Sequence, residues 1–444
     1  MTTTISSFPF HIKEHIVPGQ HIREWPRATS NSQEDVLNLH VKQYTPKDNP
    51  SPQPGDVTIL AAHANGFPKE LYEALWADLH AQSQSQGGFR IRNIWIADVS
   101  HQGYSGELNE EKLGNDPCWH DHSRDLLHLT NVFRAEMPRP IIGVGHSFGA
   151  NVLTQLSLMH PRLMTTLVLL DPTIAGHNST PGTGPNTTPA RASTFRREVW
   201  PSRQAAIESF QRSPFYRSWD PRVLEAWNKH AIRDLPTPLF PEVPNPDPAS
   251  PGVTLRTTKH QEVFTFIRPL YPFTTTAQPP STEKYTISKP DAPDYDPSEN
   301  PTETPFNFYR AEGGAVLRAL PAVRPSVLFI HGGTSNVSVP KVRAQRLATC
   351  GVGPGGSGGA NAGRVAEVLM EANGHLFPME IPAETASHAA RWIKAEMSRW
   401  RDEQAAYEAW TRLPARQKTT LTPEFIDKLG RRPARPKRAA EPKL

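Results

Sequence analysis

The chain has 444 residues, with 48 Lys and Arg against 44 Asp and Glu, and its small basic excess gathers over 431–443. It can therefore bury a large core, and its charge gives a nucleic-acid partner little support. Two cysteines, Cys118 and Cys350, exclude a disulfide framework and lack metal-ligand spacing, while no secretory signal or run of about 20 apolar residues is present, so a soluble, unsecreted protein without a transmembrane segment is expected.

Ile12, Ile16 and Val17 predict a first strand, and Leu37, Leu39 and Val41 alternate with polar residues as a half-buried second one. A Pro-rich loop over 45–55 leads to an apolar strand over 57–62, which ends in His63-Ala64-Asn65-Gly66-Phe67-Pro68. Helical spacing follows at Leu71, Leu75, Trp76 and Leu79. The next strand, 91–97, closes on Asp98 and a turn-rich loop over 101–106, and a helix is predicted over about 121–137. Then comes the apolar run Pro140-Ile141-Ile142-Gly143-Val144, the turn Gly145-His146-Ser147-Phe148-Gly149, and a second helical pattern. Leu167 to Leu170, closing on Asp171, forms a further strand. Strands alternating with helices at this spacing predict an α/β fold, a doubly wound and mostly parallel sheet whose strand C-termini share one ligand-binding edge.

From Pro172 to about Pro321 the alternation stops. Helical segments over 202–211 and 221–232 suggest a cap, and 235–305, dense in proline, an extended excursion. Alternation resumes with a strand over 326–330, a helix near 342–347, a glycine tract, a strand over 365–370 ending at Asn373-Gly374-His375, and a helix over about 383–400. The expected division is a core over 1–171, an inserted helical and Pro-rich cap over 172–320, the rest of the core over 321–400, and a polar tail over 401–444.

Gly145-x-Ser147-x-Gly149 between a strand and a helix has the form of a nucleophile elbow, a sharp turn that lifts a serine clear of a sheet. A second match, Gly355-Gly356-Ser357-Gly358-Gly359, has neither the strand nor the helix and is set aside. Serine needs a base to take its proton, and in such sheets the chain order is Ser, acid, His. Of the 18 histidines, His375 is singled out by its loop after the last strand. No Asp or Glu occurs over 326–366, where the acid commonly lies, so Asp171, one strand over on the same edge, is the expected orienting carboxylate. The alternative for Asp171-Pro172 is a simple turn starter. Oxyanion donors are expected at Phe148 N–H and at Asn65 N–H or Ala64 N–H, with His63 bracing that loop or merely packed beneath it. His120, Asp121, His122 and Asp125 diverge on a helix start and make a poor metal cluster; no metal and no cofactor are expected. Asp98 precedes the nucleophile and is expected to fix its own loop.

On these residues the chain resembles the α/β-hydrolase superfamily over about 57–171 and 321–400. Its His-Ala-Asn-Gly-Phe-Pro loop, the Arg217-Ser218-Trp219-Asp220-Pro221-Arg222 segment and its C-terminus are similar to fungal peroxisomal hydrolases, a group with peroxisomal lipases and host-selective-toxin biosynthesis enzymes. The resemblance implies a lipase- or esterase-like serine hydrolase acting on carboxylic esters or thioesters, its small-molecule partners. Asp at position 147 would have signalled an epoxide hydrolase or dehalogenase; Ser147 excludes both. An acyltransferase or lyase on the same residues, or a fold-alike that only binds, stays open at this level. Trp200, Phe210, Phe215, Trp219 and Trp227 are expected either to wall the acyl pocket or to form cap core. The closing Pro442-Lys443-Leu444 differs in one residue from the Ser-Lys-Leu signal read by the peroxisomal import receptor, so a peroxisomal location is expected, with the cytoplasm as the alternative.

Overall fold

Four of the strands are predominantly apolar and buried on both faces, and that dictates their place. In the computed structural model, which describes residues 8–176, 189–242, 251–270, 292–296 and 308–430, eight strands form one sheet: β1 (Phe10–Pro18), β2 (Asn38–Pro46), β3 (Val57–Ala62), β4 (Ile91–Ala97), β5 (Ile141–His146), β6 (Thr166–Leu170), β7 (Ser326–Gly332) and β8 (Val365–Met370). Their order is β1-β2-β4-β3-β5-β6-β7-β8. β1 and β2, and β2 and β4, pair antiparallel; all other pairs are parallel. Every residue of β3, β5, β6 and β7 is buried, as strands covered by helices on both faces require. The rims, β1 and β8, keep exposed residues and carry charges such as Lys13, Glu14 and Glu367.

Helices Glu73–Gln86, Trp119–Val132, Phe148–Met159, Pro340–Thr349 and Pro382–Thr411 lie between or after these strands. Leu60, Trp95, Leu126, Phe148, Leu153, Leu167 and Phe329 belong to one buried cluster, with Val316 and Leu320 among them. The latter two come from helix Glu312–Ala319 and the turn after it, so core packing resumes before residue 321.

Two readings of the sequence need correction. The segment after Asp98, expected as a loop, contains helix Gly103–Asn109. Tertiary contacts build it: Tyr104 N–H donates to the Asp98 carboxylate, and Ser105 Oγ donates to Asp98 O while accepting from His40 N–H. In the cap, helices Arg203–Arg212 and Pro221–His230 fall where apolar spacing put them, with Ser202 and Asp220 as N-caps. Yet the supposed extended excursion holds strand Val253–Leu255, which joins Val199–Trp200 and Ile232–Asp234 in a small sheet, and helix Lys259–Phe266. That helix did leave a mark in the sequence: Thr258 Oγ1 accepts from Gln261 N–H in a Thr-x-x-Gln start. The proline-dense stretches 271–291 and 297–307 lie outside the described residues.

By compactness the chain divides into Met1–Met397 and Ser398–Leu444. The second unit holds the end of the long helix and helices Ala415–Thr419 and Pro423–Leu429, the last capped by Thr422. No described helix is long and apolar enough to cross a membrane.

Helix Phe148–Met159 is seated directly on β3, and a glycine permits the approach. A Cβ at Gly149 would sit 2.3 Å from Ala62 O and 2.6 Å from His63 O. Gly149→Ala must push helix and strand apart, at a cost of about 1–3 kcal/mol. A lowered urea midpoint with an unchanged slope is the expected result; an unaltered midpoint would contradict this packing.

Candidate active site

The turn from β5 into helix Phe148–Met159 holds Ser147 at φ 56° and ψ −116°, where a side-chain-bearing residue is strained. The surroundings over-determine it. Ser147 N–H donates to Leu170 O at 2.9 Å, continuing the β5–β6 ladder past its last pair, His146 and Leu170. Ser147 O in turn accepts from Ala150 N–H at 3.2 Å and Thr173 N–H at 3.2 Å. A Cβ at Gly145 would meet Ala150 Cα and Gly149 O at 2.7 Å, so the turn closes only on glycine.

From this turn Ser147 Oγ reaches His375 Nε2 at 2.8 Å, and His375 Nδ1 reaches Asp171 Oδ2 at 2.6 Å. The structure thus brings together three residues from the ends of β5, β6 and β8. The Asp171 carboxylate is fully buried and also receives Gly332 N–H at 3.2 Å and the Ser335 hydroxyl. Burial works against its charge, but the polar groups of His331, His375 and Ser335 around it outweigh burial and hold the carboxyl well below its usual range. An ionised Asp171 accepts only, so His375 Nδ1 carries a hydrogen and Nε2 offers its lone pair to the serine. The loop after β7, which holds no carboxylate, supplies donors to one placed on β6.

At the serine, Phe148 opens its helix and its N–H has no acceptor among the described residues. Three N–H groups follow one another in the loop after β3. Ala64 N–H donates to Tyr72 Oη at 2.8 Å, and Gly66 N–H to Gln102 Oε1 at 2.7 Å. Asn65 N–H alone of the three has no acceptor among the described residues. The geometry therefore leaves Asn65, and not Ala64, available as an oxyanion donor from this loop. Gln102, which no sequence motif singles out, also donates to Asn65 Oδ1 at 2.6 Å. The cap helix Lys259–Phe266 presses from outside: Asn65 Nδ2 donates to Glu262 O at 3.1 Å, and the Glu262 carboxylate is held by Ser193 and Arg196.

Most of the remaining singled-out residues have structural partners, while neither ring nitrogen of buried His122 has a hydrogen-bond partner among the described residues. His63 donates from Nδ1 to Ala64 O at 2.8 Å and accepts Val99 N–H on Nε2 at 3.0 Å, bracing the loops after β3 and β4. Asp98 receives Lys69 Nζ at 2.6 Å and Tyr104 N–H at 2.9 Å. Asp121 and Asp125 accept from the 20–24 segment, through Glu24 N–H at 3.0 Å and Arg23 at 2.9 Å respectively. Trp200, Phe210, Trp219 and Trp227 are buried against one another, with Phe67 edge-on to Trp219 and Trp227, while Phe215 is half exposed. Those four rings form a buried cluster that rests on Phe67 of the loop after β3.

This sheet, elbow and edge-clustered residues are those of the alpha/beta hydrolase family, whose model matches residues 59–389; the chain belongs to that family. It is 42% identical to the type I acyl-CoA thioesterase mpaH of Penicillium roqueforti over 407 residues, 89% of this chain and 90% of that protein. Over 263 residues, 59% of this chain and 85% of the other, it is 27% identical to the abhydrolase domain-containing protein AFT2-1 of Alternaria alternata. Among solved structures it resembles the peroxisomal alpha-beta-hydrolase Lpx1 of Saccharomyces cerevisiae with a TM-score of 0.61 at 15% identity, across 95% of this chain and 96% of that one. At that identity the likeness concerns the fold alone.

Buried histidines around the site set a pH limit on stability. Burial, together with nearby positive groups, lowers both His101 and His146 to about 3. An unfolded histidine titrates near 6.5, so between these values the unfolded chain binds more protons and stability falls as pH falls. The loss is expected to set in below about pH 6.5 and to grow down to about pH 3. Urea midpoints measured from pH 7 to pH 4 check this; a flat profile would contradict neutral burial of these rings.

Proposed function

We propose that this protein is a serine hydrolase that cleaves carboxylic thioesters or esters, acyl-CoA thioesters foremost, through Ser147, His375 and Asp171. The observation that carries the proposal is the continuous contact from Ser147 Oγ through His375 to a buried, ionised Asp171; Phe148 N–H and Asn65 N–H, which have no acceptor among the described residues, support it. The thioester preference is supported by the thioesterase relatives, which match along about nine-tenths of both chains.

In the proposed reaction His375 Nε2 takes the Ser147 proton as Oγ attacks the acyl carbon. Phe148 N–H and Asn65 N–H receive the oxyanion, each donor being worth on the order of 10²–10³ in rate. Collapse breaks the bond to the leaving thiolate or alkoxide, which takes the proton back from His375. Water then attacks the acyl-Ser147 ester with His375 again as base, releasing the carboxylic acid. Asp171 holds His375 in the tautomer this requires and stabilises the imidazolium.

Purified protein supplied with acyl-CoA thioesters and matched esters of graded chain length, with free thiol or acid as readout, tests the reading. Ser147→Ala should lose on the order of 10⁴ or more in kcat, Asp171→Asn about 10⁴, and Ser335→Ala much less. Ser147→Ala within tenfold of wild type would overturn the assignment.

A peroxisomal site of action belongs to the same proposal. Pro442-Lys443-Leu444 lies outside the described residues; import through it rests on its chemistry, a basic penultimate and an apolar final side chain. A fluorescent protein fused ahead of Met1 should enter peroxisomes and turn diffuse when Leu444 is removed. A signal that is diffuse either way would refute the address.

A further inference from the structure

Two buried side chains that take no part in the proposed proton transfers connect the main chain of two loops, those after β3 and β8. Ala64 N–H donates to Tyr72 Oη at 2.8 Å, Tyr72 Oη lies 2.9 Å from His146 Nδ1, and His146 Nε2 lies 3.0 Å from the carbonyl oxygen of His375. Tyr72 is 2% exposed and His146 is fully buried. The two ends fix every proton. A carbonyl oxygen only accepts, so His146 Nε2 must carry a hydrogen; the ring is kept neutral, its pKa lowered to about 3 by burial and by His375, so Nδ1 is a lone pair. Tyr72 O–H therefore donates to Nδ1, and its oxygen is left to accept Ala64 N–H. Burial keeps that hydroxyl protonated. Each donor and each acceptor in the run is used once.

What the run joins matters more than that it is satisfied. Ala64 precedes Asn65, whose N–H has no acceptor among the described residues and is the proposed oxyanion donor, and a turn of the peptide between them would re-aim it. His146 precedes Ser147. The far end grips the main chain of His375, the base itself.

We infer that Tyr72 and His146 are positioning residues for the reaction: their relay from Ala64 N–H to the His375 carbonyl sets the spacing between the Asn65 oxyanion donor, Ser147 and the base. This rests on the serine-hydrolase reading. A misplacement of about 1 Å at such groups costs on the order of 100-fold in rate, while the affinity for the ground-state substrate should change little.

The test is a kinetic cycle of Tyr72→Phe, His146→Phe and the double variant, with His146→Gln as the conservative change. Folding is checked by urea midpoint, and Ser147 reactivity by labelling with a fluorophosphonate. Each single variant should lose about 10–100-fold in kcat with KM within about threefold. The double variant should lose no more than the worse single one, as for residues acting as a unit. His146→Gln, which keeps an N–H for the His375 carbonyl, should recover part of the loss and also serves if a phenylalanine variant does not fold. Folded variants with kcat within about twofold of wild type, or losses that simply multiply, would overturn the inference. Wild type that neither labels nor turns over would instead overturn the serine-hydrolase reading on which it rests.

Discussion

A serine held in strained backbone between a fully buried strand and a helix that lies on the neighbouring strand is the constraint from which the rest of the site follows. Positive φ at Ser147 is sustained because its N–H and C=O are tied to Leu170 and to Ala150 and Thr173, and because Gly145 and Gly149 leave room that a methyl group would fill. Such strain costs about 1–3 kcal/mol and persists only where the surroundings leave no alternative. The parallel sheet supplies that rigidity. It also brings the ends of β3, β5, β6, β7 and β8 to one edge, so groups far apart in sequence meet without any one loop having to be long.

The buried carboxylate illustrates how the burden is shared. Asp171 at the end of β6 would be a costly charge if left alone, since burial disfavours ionisation. Gly332 N–H at the end of β7, the Ser335 hydroxyl just after it, and His375 from beyond β8 offset that cost. A loop that lacks any acidic residue thus serves an acid placed elsewhere. On the opposite side, helix Lys259–Phe266 reaches the loop after β3 through Glu262 O, which accepts from Asn65 Nδ2 and steadies that loop.

Much of this was legible in the sequence because it is written in local chemistry. Apolar runs bounded by turns marked β3 to β8, and a Gly-x-Ser-x-Gly turn between strand and helix marked Ser147. Strand order and the absence of an acid over 326–366 point to His375 and Asp171 as candidates, and the structure sets the two in contact with one another. What escaped was set by partners distant in the chain. Helix Gly103–Asn109 has little apolar periodicity and exists through Asp98 and His40, and helix Lys259–Phe266 sits in proline-dense surroundings that hid its Thr258 cap. The choice between Ala64 and Asn65 was closed to sequence reasoning, because it depends on Tyr72 occupying one amide. Gln102 and Tyr72 carry no motif; His146 lies inside one but only the fold gives it two partners.

The central claim is that the acyl group passes through a covalent ester on Ser147. Rapid mixing of the enzyme with a long-chain acyl-CoA, acid quenching over milliseconds to seconds, and mass analysis of the intact chain and of the peptide holding Ser147 measures it directly. The account predicts an adduct of the acyl mass on Ser147 that forms with a burst of free CoA thiol and decays as carboxylic acid appears. Turnover of the thioester with no acyl adduct at Ser147, or with the adduct on another residue, would contradict it.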